Sequence, residues 1–280
     1  DGAGDHGRAE AGSRGAIARL GLGIDRWIAR RADGWIALTQ ASERVIRASS
    51  DAPGQRIGPP VADPNALGER HDDARLLGEH GLAPGGFFLY CGNLDPYQDL
   101  PLLEQVARRR ALAARSASPK RDRLPLVVAS HSGAGAGGDR PGSAPALARR
   151  LEQAGVRLVA IRSVAEARAL FAGARATVVP RRSLGGFPIK LVNSLAAGTP
   201  VVAFHGDEWG LVDGHEALIG DPADPVASLT AALARLELDP ALADRLGRGA
   251  RARYDTEHRP ALVASATLEL IRAVLARRGR

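Results

Sequence analysis

The sequence contains no methionine, one cysteine and only two lysines among its 280 residues. The lone Cys91 excludes an internal disulfide and a cysteine-based metal cluster, and its apolar neighbours in FFLYCGN favour a buried thiol over a nucleophile. The seven histidines form no HxxxH or HExxH pair, so we predict no bound metal. No apolar run approaches the roughly 20 residues that span a bilayer, and no signal-peptide core is present, which predicts a soluble, cytoplasmic protein.

Aromatic residues are also scarce, at 4%, whereas the formal net charge is +7 and is spread along the whole chain. A basic chain without a recognisable nucleic-acid motif does not point to DNA or RNA, so we predict no nucleic-acid partner. An anionic small ligand or an anionic lipid surface accounts for the charge more simply.

The scarcity of lysine makes one position conspicuous. Of the 38 basic residues, only Lys120 and Lys190 are lysines, so ordinary surface charge in this chain is supplied by arginine. Lys190 lies within GGFPIKLVNSLAAGTPVV, residues 185–202. This placement calls for a functional reason.

Short apolar runs alternate with helical patterns through most of the chain. The strand candidates are apolar throughout rather than alternating, which is typical of a parallel sheet covered on both faces. We therefore predict a doubly wound parallel α/β fold. The predicted strands are 34–39, 87–92, 125–130, 156–161, 176–180, 200–204 and 217–220, and the predicted helices include 100–115, 144–155, 163–174, 189–198 and a long C-terminal helix from 260.

Two glycine-rich or proline-rich segments interrupt this pattern. Residues 49–86 begin with SSDAPGQRIGPPVADP, the composition of an interdomain linker, although QRIGPPV is compatible with a short strand. Residues 131–145 contain a formal GxGxxG at Gly133, Gly135 and Gly138. Because DRPGSAP follows instead of a helix, a plain loop is favoured over a dinucleotide site, and an NAD-dependent oxidoreductase stays only a remote alternative.

Residues 176–202 predict a strand, a loop, a helix and a second strand. In parallel sheets, ligands bind where free helix N-termini face the carboxyl ends of the strands, and Gly185 and Gly186 allow close approach to the backbone. Lys190 and Asn193 share one face of the predicted helix, where they suit a phosphate and a sugar hydroxyl. An ordinary surface helix with the same two residues is the alternative.

Three segments carry a family resemblance. They are FFLYCGNLDPYQDLPLLEQV at 87–106, LFAGARATVVPRRSLGGFPIKLVNSLAAGTPVVAF at 170–204 and GLVDGHEALIGDPADPVASLTAALARL at 210–236. Their order and spacing resemble the donor-binding half of GT-B glycosyltransferases, family GT4 or glycosyl transferases group 1, as a variant with GNLxxYQ and GFPIKLxN motifs. The resemblance extends over roughly residues 30–275.

The resemblance implies a division of the chain into domains. Residues 16–60 are expected to be the end of an N-terminal, acceptor-side Rossmann-like domain with its linker, and 61–258 the nucleotide-sugar-binding domain. For residues 1–15, the glycine-rich and charged composition predicts a disordered tail. Residues 259–280 form a helix that crosses back to the first domain. Because the chain starts at Asp1 without an initiator methionine, we expect it to be a fragment that lacks much of the first domain and is inactive alone.

Four charged positions of the family are neutral in this sequence. Its two glutamates correspond to Gly185 and Asn193, and its diphosphate-binding Arg and Lys correspond to Asn93 and Gln98. We expect Lys190 to supply the diphosphate charge instead, Asn93 and Gln98 to give neutral hydrogen bonds, and Asn193 to hold the ribose.

The resemblance assigns donor binding to the residues of these loops. The predicted donor-binding residues are Gly92, Asn93, Gln98, Gly185, Gly186, Phe187, Pro188, Ile189, Lys190 and Asn193. Weaker candidates are Arg162, Ser163 and Val164 at the nucleobase and Arg181 and Arg182 at the phosphates. For both arginines, a solvated position in a loop is the favoured interpretation. The catalytic residues remain unassigned.

The implied function is transfer of a sugar from a nucleotide diphosphate sugar, a co-substrate rather than a cofactor, to an unknown acceptor with retention of configuration. A glycan or a lipid-linked acceptor is expected. A non-catalytic module that binds a nucleotide or a partner is the alternative, because four charged positions are lost. The basic helix 15–32 permits contact with an anionic membrane, although packing against the first domain is favoured.

Overall fold

The computed structural model describes residues 21–63, 72–116, 123–131, 144–183 and 186–279. The contacts between residues divide the chain into two units. One unit combines Asp1–Gly58 with Val263–Arg280, and the other is Pro59–Leu262. The predicted tail 1–15, the glycines of the GxGxxG loop, Lys120 and Gly185 lie outside the described residues.

The smaller unit contains a two-stranded parallel sheet. Helix α1 covers residues 21–31, β1 is Trp35–Ala37, α2 is Gln40–Arg47 and β2 is Gly54–Arg56. Strand β2 pairs with β1 in parallel. The Trp35 indole donates a hydrogen bond to the Ala52 carbonyl at 3.1 Å. This bond attaches the segment between α2 and β2 to strand β1. The strand that QRIGPPV permitted is therefore present, shifted by one residue towards the N terminus.

The larger unit is built on six parallel strands. These are β3 (Phe88–Cys91), β4 (Leu126–Ser130), β5 (Arg157–Ala160), β6 (Ala176–Val178), β7 (Val201–Ala203) and β8 (Ala217–Ile219). Their order in the sheet is β5-β4-β3-β6-β7-β8. All residues of β3, β4, β6 and β7 are buried, as the continuous apolar runs predict for a sheet covered on both faces.

Eight α-helices of the larger unit precede, connect or follow its strands within the described residues. They are α3 (Asp73–Glu79), α4 (Pro101–Ser116), α5 (Ala144–Gln153), α6 (Val164–Gly173), α7 (Ile189–Ala197), α8 (Gly206–Trp209), α9 (Pro225–Leu238) and α10 (Pro240–Arg253). Side-chain oxygens cap α6, α9 and α10 at Ser163, Asp224 and Asp239. Two separate apolar clusters lie on the two faces of the sheet's first strands, one against α4 and α9 and the other against α3 and α6.

The last helix, α11, covers Pro260–Arg278. The long C-terminal helix predicted from residue 260 is therefore present, and none of its residues is buried among the described residues. Within the smaller unit, the Gln55 amide donates to the Ala266 carbonyl at 3.0 Å.

The segment 49–86 is more structured than a linker. Besides β2 it contains α3, whose Leu77 is buried in the cluster that α3 shares with α6. The proline and glycine residues at its start obscured this helix, because DDARLLGE has only two adjacent leucines to indicate an apolar face.

Candidate functional site

The strand order reverses direction between β3 and β6. The chain passes from β3 outward through β4 to β5, then returns to the other side of β3 and continues through β6, β7 and β8. In open parallel sheets, ligands bind at such a reversal, outside the carboxyl ends of the two adjacent strands. The residues that follow β3 and β6 therefore define the candidate site. Gly92 comes directly after β3, and Arg181 follows β6 by three positions.

Lys190 extends from the first turn of α7 to the end of β3. Its Nζ lies 4.0 Å from the centre of the Tyr90 ring and donates to Gln98 Oε1 at 2.7 Å. The lysine is fixed there because Leu191 and Val192, the next residues of α7, are fully buried against the sheet. A residue of α7 thus contacts one residue of β3 and one residue of the segment that follows β3.

Gly92 leaves the space that Lys190 occupies. Its φ is +154°, in the region that favours glycine, and a Cβ there would lie 3.0 Å from Lys190 Nζ and 3.2 Å from the Tyr90 hydroxyl. The absence of a side chain at Gly92 therefore permits the contact between Lys190 and Tyr90.

The neutral residues of GNLDPYQ form a hydrogen-bonded loop. Tyr90 donates from its hydroxyl to the Asn93 carbonyl at 2.6 Å, and Gln98 Nε2 donates to Asn93 Oδ1 at 3.1 Å. The Asn93 amide donates to the Asp95 carboxylate and, at 3.3 Å, to the Tyr97 hydroxyl. Gln98 is buried and presents its carbonyl oxygen to Lys190. Gln98 thus holds the lysine, and Asn93 holds Gln98. Hydrogen bonds from Asn93 and Gln98 to the donor stay a prediction.

Arg181 is buried, with 5% of its surface exposed. The interpretation of Arg181 as a solvated loop residue is therefore wrong. Its guanidinium lies 5.3 Å from the centre of the Trp209 ring and donates to the Gly186 carbonyl at 2.5 Å. Burial lowers the pKa of Arg181, since removal from water disfavours its charge. Trp209 stands 28 positions further along the chain, so local sequence gives no signal of this burial.

Arg182, in contrast, is exposed, as expected. Hydrogen bonds hold its backbone on both sides. Its N–H donates to Asp99 Oδ2 at 2.9 Å, and its carbonyl accepts a hydrogen bond from His205 Nε2 at 2.5 Å. Asp99 has a φ of 55°, a left-handed conformation that is rare for a non-glycine residue. The loops after β3, β6 and β7 are therefore joined at the residue next to Arg181.

Lys190 has an unusually low pKa. Burial is the main cause of its value of about 7, and the Arg181 cation lowers the pKa further. A Cys91 thiolate would oppose this shift. However, burial raises the pKa of Cys91 to about 11, so the thiol is neutral over the range where Lys190 titrates. The site is therefore basic and has no counter-anion of its own among these groups.

A comparison with protein families assigns the chain to a family. The sequence model described as "Glycosyl transferases group 1" matches residues 87–239, from the start of β3 to the end of α9. The chain belongs to this family.

Solved structures of similar fold include two glycosyltransferases. Sucrose-phosphate synthase from Thermosynechococcus elongatus superposes with a TM-score of 0.70 at 19% identity, covering 91% of this chain and 62% of that one. Anabaena HepE in complex with UDP and glucose gives 0.70 at 16% identity, covering 90% and 66%. The chain thus spans slightly less than two thirds of each of these structures. The likeness confirms the predicted doubly wound fold of the GT-B type.

A third structure, WaaG, a glycosyltransferase involved in lipopolysaccharide biosynthesis, gives a TM-score of 0.58 at 17% identity and covers 82% of this chain and 60% of that one. A search of curated protein sequences finds no match. Among the helices of the described residues, none is long and apolar enough to cross a membrane. The described residues also contain no group of three or more His, Cys, Asp or Glu side chains arranged to hold a metal ion.

The remaining predicted donor-binding residues surround the start of α7. Gly186 has a φ of +66°, and Pro188 precedes the helix without capping it through a side chain. Phe187 lies with its ring centre 6.1 Å from that of His258, and Ile189 is half exposed. Asn193 is partly buried, one turn after Lys190, and forms no hydrogen bond through its side chain with the described residues.

The three weaker nucleobase candidates follow β5. This strand is two positions away in the sheet from β3, the strand that Lys190 contacts. Arg162 is paired with Glu166, to which its Nε donates at 2.8 Å, and Ser163 accepts from the Glu166 N–H as the cap of α6. Both side chains are thus engaged in local structure. Val164 is 72% exposed at the start of α6.

Three site residues were missed in the sequence. Tyr90 resembles any apolar strand residue, Asp99 any loop acid, and Trp209 any core aromatic. Their part in the site is revealed by the unusual φ at Asp99 and by contacts between distant residues, which join Asp99 to Arg182, Tyr90 to Lys190 and Trp209 to Arg181.

Proposed function

We propose that the protein transfers a sugar from a nucleotide diphosphate sugar to an acceptor, with the diphosphate bound between Lys190 and Arg181. The proposal is supported above all by one observation. Two cationic side chains lie buried or partly buried at the reversal of the strand order, and neither forms an ion pair with a carboxylate among the described residues. Burying an unpaired charge is costly, so such a pair favours an anionic ligand.

Helix α7 supports the same location for the diphosphate. The N-terminus of a helix carries unpaired N–H groups and partial positive charge, both of which favour an anion. Pro188 supplies no side-chain cap for these groups. The anionic ligand would therefore meet the backbone of α7 as well as the side chain of Lys190.

Electrostatic stabilisation would be the main chemical contribution of these residues. When the bond between the sugar and the diphosphate breaks, negative charge accumulates on the departing phosphate oxygens. Preorganised cations that are shielded from water stabilise such charge more strongly than solvent does. No cofactor takes part in this proposal, and retention of anomeric configuration is proposed from the resemblance to family GT4.

The acceptor is proposed to be a glycan or a lipid-linked molecule, with its binding residues mostly outside this chain. Solved relatives support a nucleotide-sugar donor, since HepE has been crystallised in complex with UDP-glucose. Localisation in the cytoplasm with peripheral contact to the membrane also remains a proposal.

A thermal-shift and calorimetric screen of UDP-glucose, GDP-mannose and ADP-glucose tests the function. We expect one of these nucleotide sugars to bind to the chain, and to yield free nucleoside diphosphate when an acceptor and the full set of family domains are present. The configuration of the new anomeric centre, determined by NMR, tests retention. Binding of none of the three classes would contradict the proposed function.

A non-catalytic binding module is a second candidate, favoured by one observation. The positions of the family's two glutamates are occupied by Gly185 and Asn193 in this chain. Binding of a nucleotide sugar without hydrolysis or transfer, with acceptors and with the full set of family domains present, would support this candidate over the enzyme.

A further inference from the structure

The two buried arginines of the described chain differ in their partners. Arg110 is 4% exposed and pairs with Glu237. Arg181 is 5% exposed, and its polar contacts are a backbone carbonyl and the face of Trp209. Because a buried guanidinium without a carboxylate is costly, the positive charge of Arg181 is not explained by the stability of the unliganded fold.

Lys190 is surrounded by groups that give it no negative charge. The titratable groups around it are one phenol, one thiol and one guanidinium, from β3 and from the loop after β6; they are Tyr90, Cys91 and Arg181. A second phenol, Tyr97, interacts with Tyr90 and with Arg181. Burial raises the pKa of Tyr90 far above neutrality, so its phenol stays uncharged, as does the Cys91 thiol. The loop carboxylate Asp95 accepts from the Asn93 amide instead.

The neighbouring cation and the burial together favour a neutral amine at Lys190 in the free protein. A diphosphate placed between Lys190 and Arg181 would reverse this preference, since an anion nearby stabilises the charged form of a lysine. Both phosphates of a nucleotide sugar are already fully ionised near neutral pH, so the additional proton must come from solvent. It would be taken up by the lone pair of Nζ, converting the amine into an ammonium ion.

We propose that Arg181 and Lys190 form a two-cation site that is completed only by its ligand, and that binding of a nucleotide sugar protonates Lys190. Arg181 supplies a permanent charge, and Lys190 supplies a charge that appears with the diphosphate. This inference rests on the proposed function, because the ligand it requires is the diphosphate of the donor.

Because the chain contains only two lysines, NMR can follow the protonation of Lys190 directly. Protein labelled with ¹³C at the lysine side chains gives signals from Lys120 and Lys190 alone, and the Lys120→Arg variant assigns them. In the free protein we expect Lys190 to titrate near pH 7, as its pKa of about 7 requires, and Lys120 to serve as a reference. With saturating UDP-glucose, GDP-mannose or ADP-glucose, whichever binds, the Lys190 titration should move upward by at least about one pH unit.

Two variants connect this shift to the geometry. Arg181→Gln removes the neighbouring cation, so Lys190 in the free variant should titrate at higher pH than in the wild type. Lys190→Arg keeps a permanent cation, so its affinity for the nucleotide sugar should change less than about twofold between pH 6 and pH 8, whereas wild-type affinity should fall about tenfold.

The outcomes separate this inference from the proposed function. Binding of a nucleotide sugar while the Lys190 titration stays unchanged overturns the inference alone. A Lys190 titration near pH 10 in the free protein overturns it as well. Failure of all three nucleotide sugars to bind overturns the proposed function and this inference with it. The wild-type titration requires no substitution in the site, so it remains decisive even where a variant fails to fold.

Discussion

At the scale of a single residue, the burial of Lys190 lowers the stability of the folded protein, whereas its charge favours binding of an anionic ligand. Its pKa of about 7 lies well below the ordinary value of 10.5, chiefly because burial disfavours the charge. Below pH 7 the folded protein therefore carries the full cost of a buried ammonium ion. Gln98, Tyr90 and Gly92 nevertheless hold the side chain at this position. A fold under selection for stability alone would place an apolar residue there.

The first prediction concerns this cost and its dependence on pH. Between about pH 7 and pH 10 the unfolded chain retains the Lys190 proton while the folded chain releases it, so the stability contributed by this residue rises with pH. The free energy of unfolding of the wild type, relative to Lys190→Met, should increase by about 2 kcal/mol between pH 6 and pH 9. Urea unfolding at several pH values measures this difference, and a difference that stays constant with pH would refute the low pKa.

The second prediction concerns Gly92. Replacement by alanine places a methyl group 3.0 Å from Lys190 Nζ and strains a backbone φ of +154°. We expect Gly92→Ala to lose about 1 to 3 kcal/mol of stability and to bind the nucleotide sugar at least about tenfold more weakly. Urea unfolding and calorimetry measure the two effects.

Gly155→Ala is the matched control for that change. Gly155 also has a positive φ, 83°, but its added Cβ would meet no atom within 4 Å. It should therefore share the loss of stability and leave the affinity unchanged. Equal loss of affinity in both variants would show that backbone strain, rather than the Lys190 contact, controls binding.

At the scale of elements, three loops meet at the Arg182 backbone. Asp99, after β3, accepts from its N–H, and His205, after β7, bonds to its carbonyl. Arg182 directly follows Arg181, so these bonds restrict where the buried guanidinium lies. The carboxyl ends of β3, β6 and β7 are thereby linked through hydrogen bonds as well as through the sheet.

The third prediction tests this link. Asp99→Ala removes the acceptor of the Arg182 N–H and places alanine at a φ of 55°, so we expect a loss of about 1 to 3 kcal/mol in the free energy of unfolding. The affinity for the nucleotide sugar should fall too, because the loop that carries Arg181 loses an anchor.

Arg182→Ala provides the comparison, since it removes only an exposed ion pair with Asp99 and leaves the backbone bond in place. Its effect on stability should stay below about 1 kcal/mol. If Arg182→Ala were as damaging as Asp99→Ala, the side-chain pair and not the backbone bond would hold the loop.

Elements were predictable from sequence where local pattern decides them. The buried strands, the start of α7 at Ile189 and its end at Gly198, with a φ of 72°, follow from apolar runs and from the preferences of proline and glycine. Helix α3 was not predictable in this way, because its burial depends on contact with α6, about 90 positions away.

Across the whole molecule, the candidate site joins residues that are distant in sequence. Lys190 and Gln98 are 92 positions apart, and Arg181 and Trp209 meet only because β6 and β7 are neighbours in the sheet. The sequence could indicate Lys190 through its rarity and through the family motif. It could not indicate that Arg181 is buried or that Cys91 and Tyr90 stay neutral around the lysine, because burial is a property of the complete fold.

The fourth prediction separates stability from binding at this scale. Glu237 pairs with the buried Arg110 and also accepts from the Leu124 N–H at 2.7 Å, joining α9 to α4 and to the start of β4. Glu237→Ala leaves a buried guanidinium unpaired, so we expect a loss of about 3 kcal/mol in unfolding free energy and an unchanged affinity for the nucleotide sugar. Glu257→Ala, which breaks an exposed pair with Arg253, should cost less than about 1 kcal/mol. A large fall in affinity for Glu237→Ala would contradict this separation.

The most direct test of the central claim isolates the diphosphate. Calorimetry at pH 6.5 would compare a nucleoside diphosphate with its nucleoside, using the base of the nucleotide sugar that binds, for the wild type, Lys190→Gln, Arg181→Gln and the double variant. If Lys190 and Arg181 hold the diphosphate, each substitution should weaken the nucleoside diphosphate by about tenfold or more and leave the nucleoside unaffected. Equal affinities for the nucleoside diphosphate in all four proteins, measured on folded samples, would contradict the account.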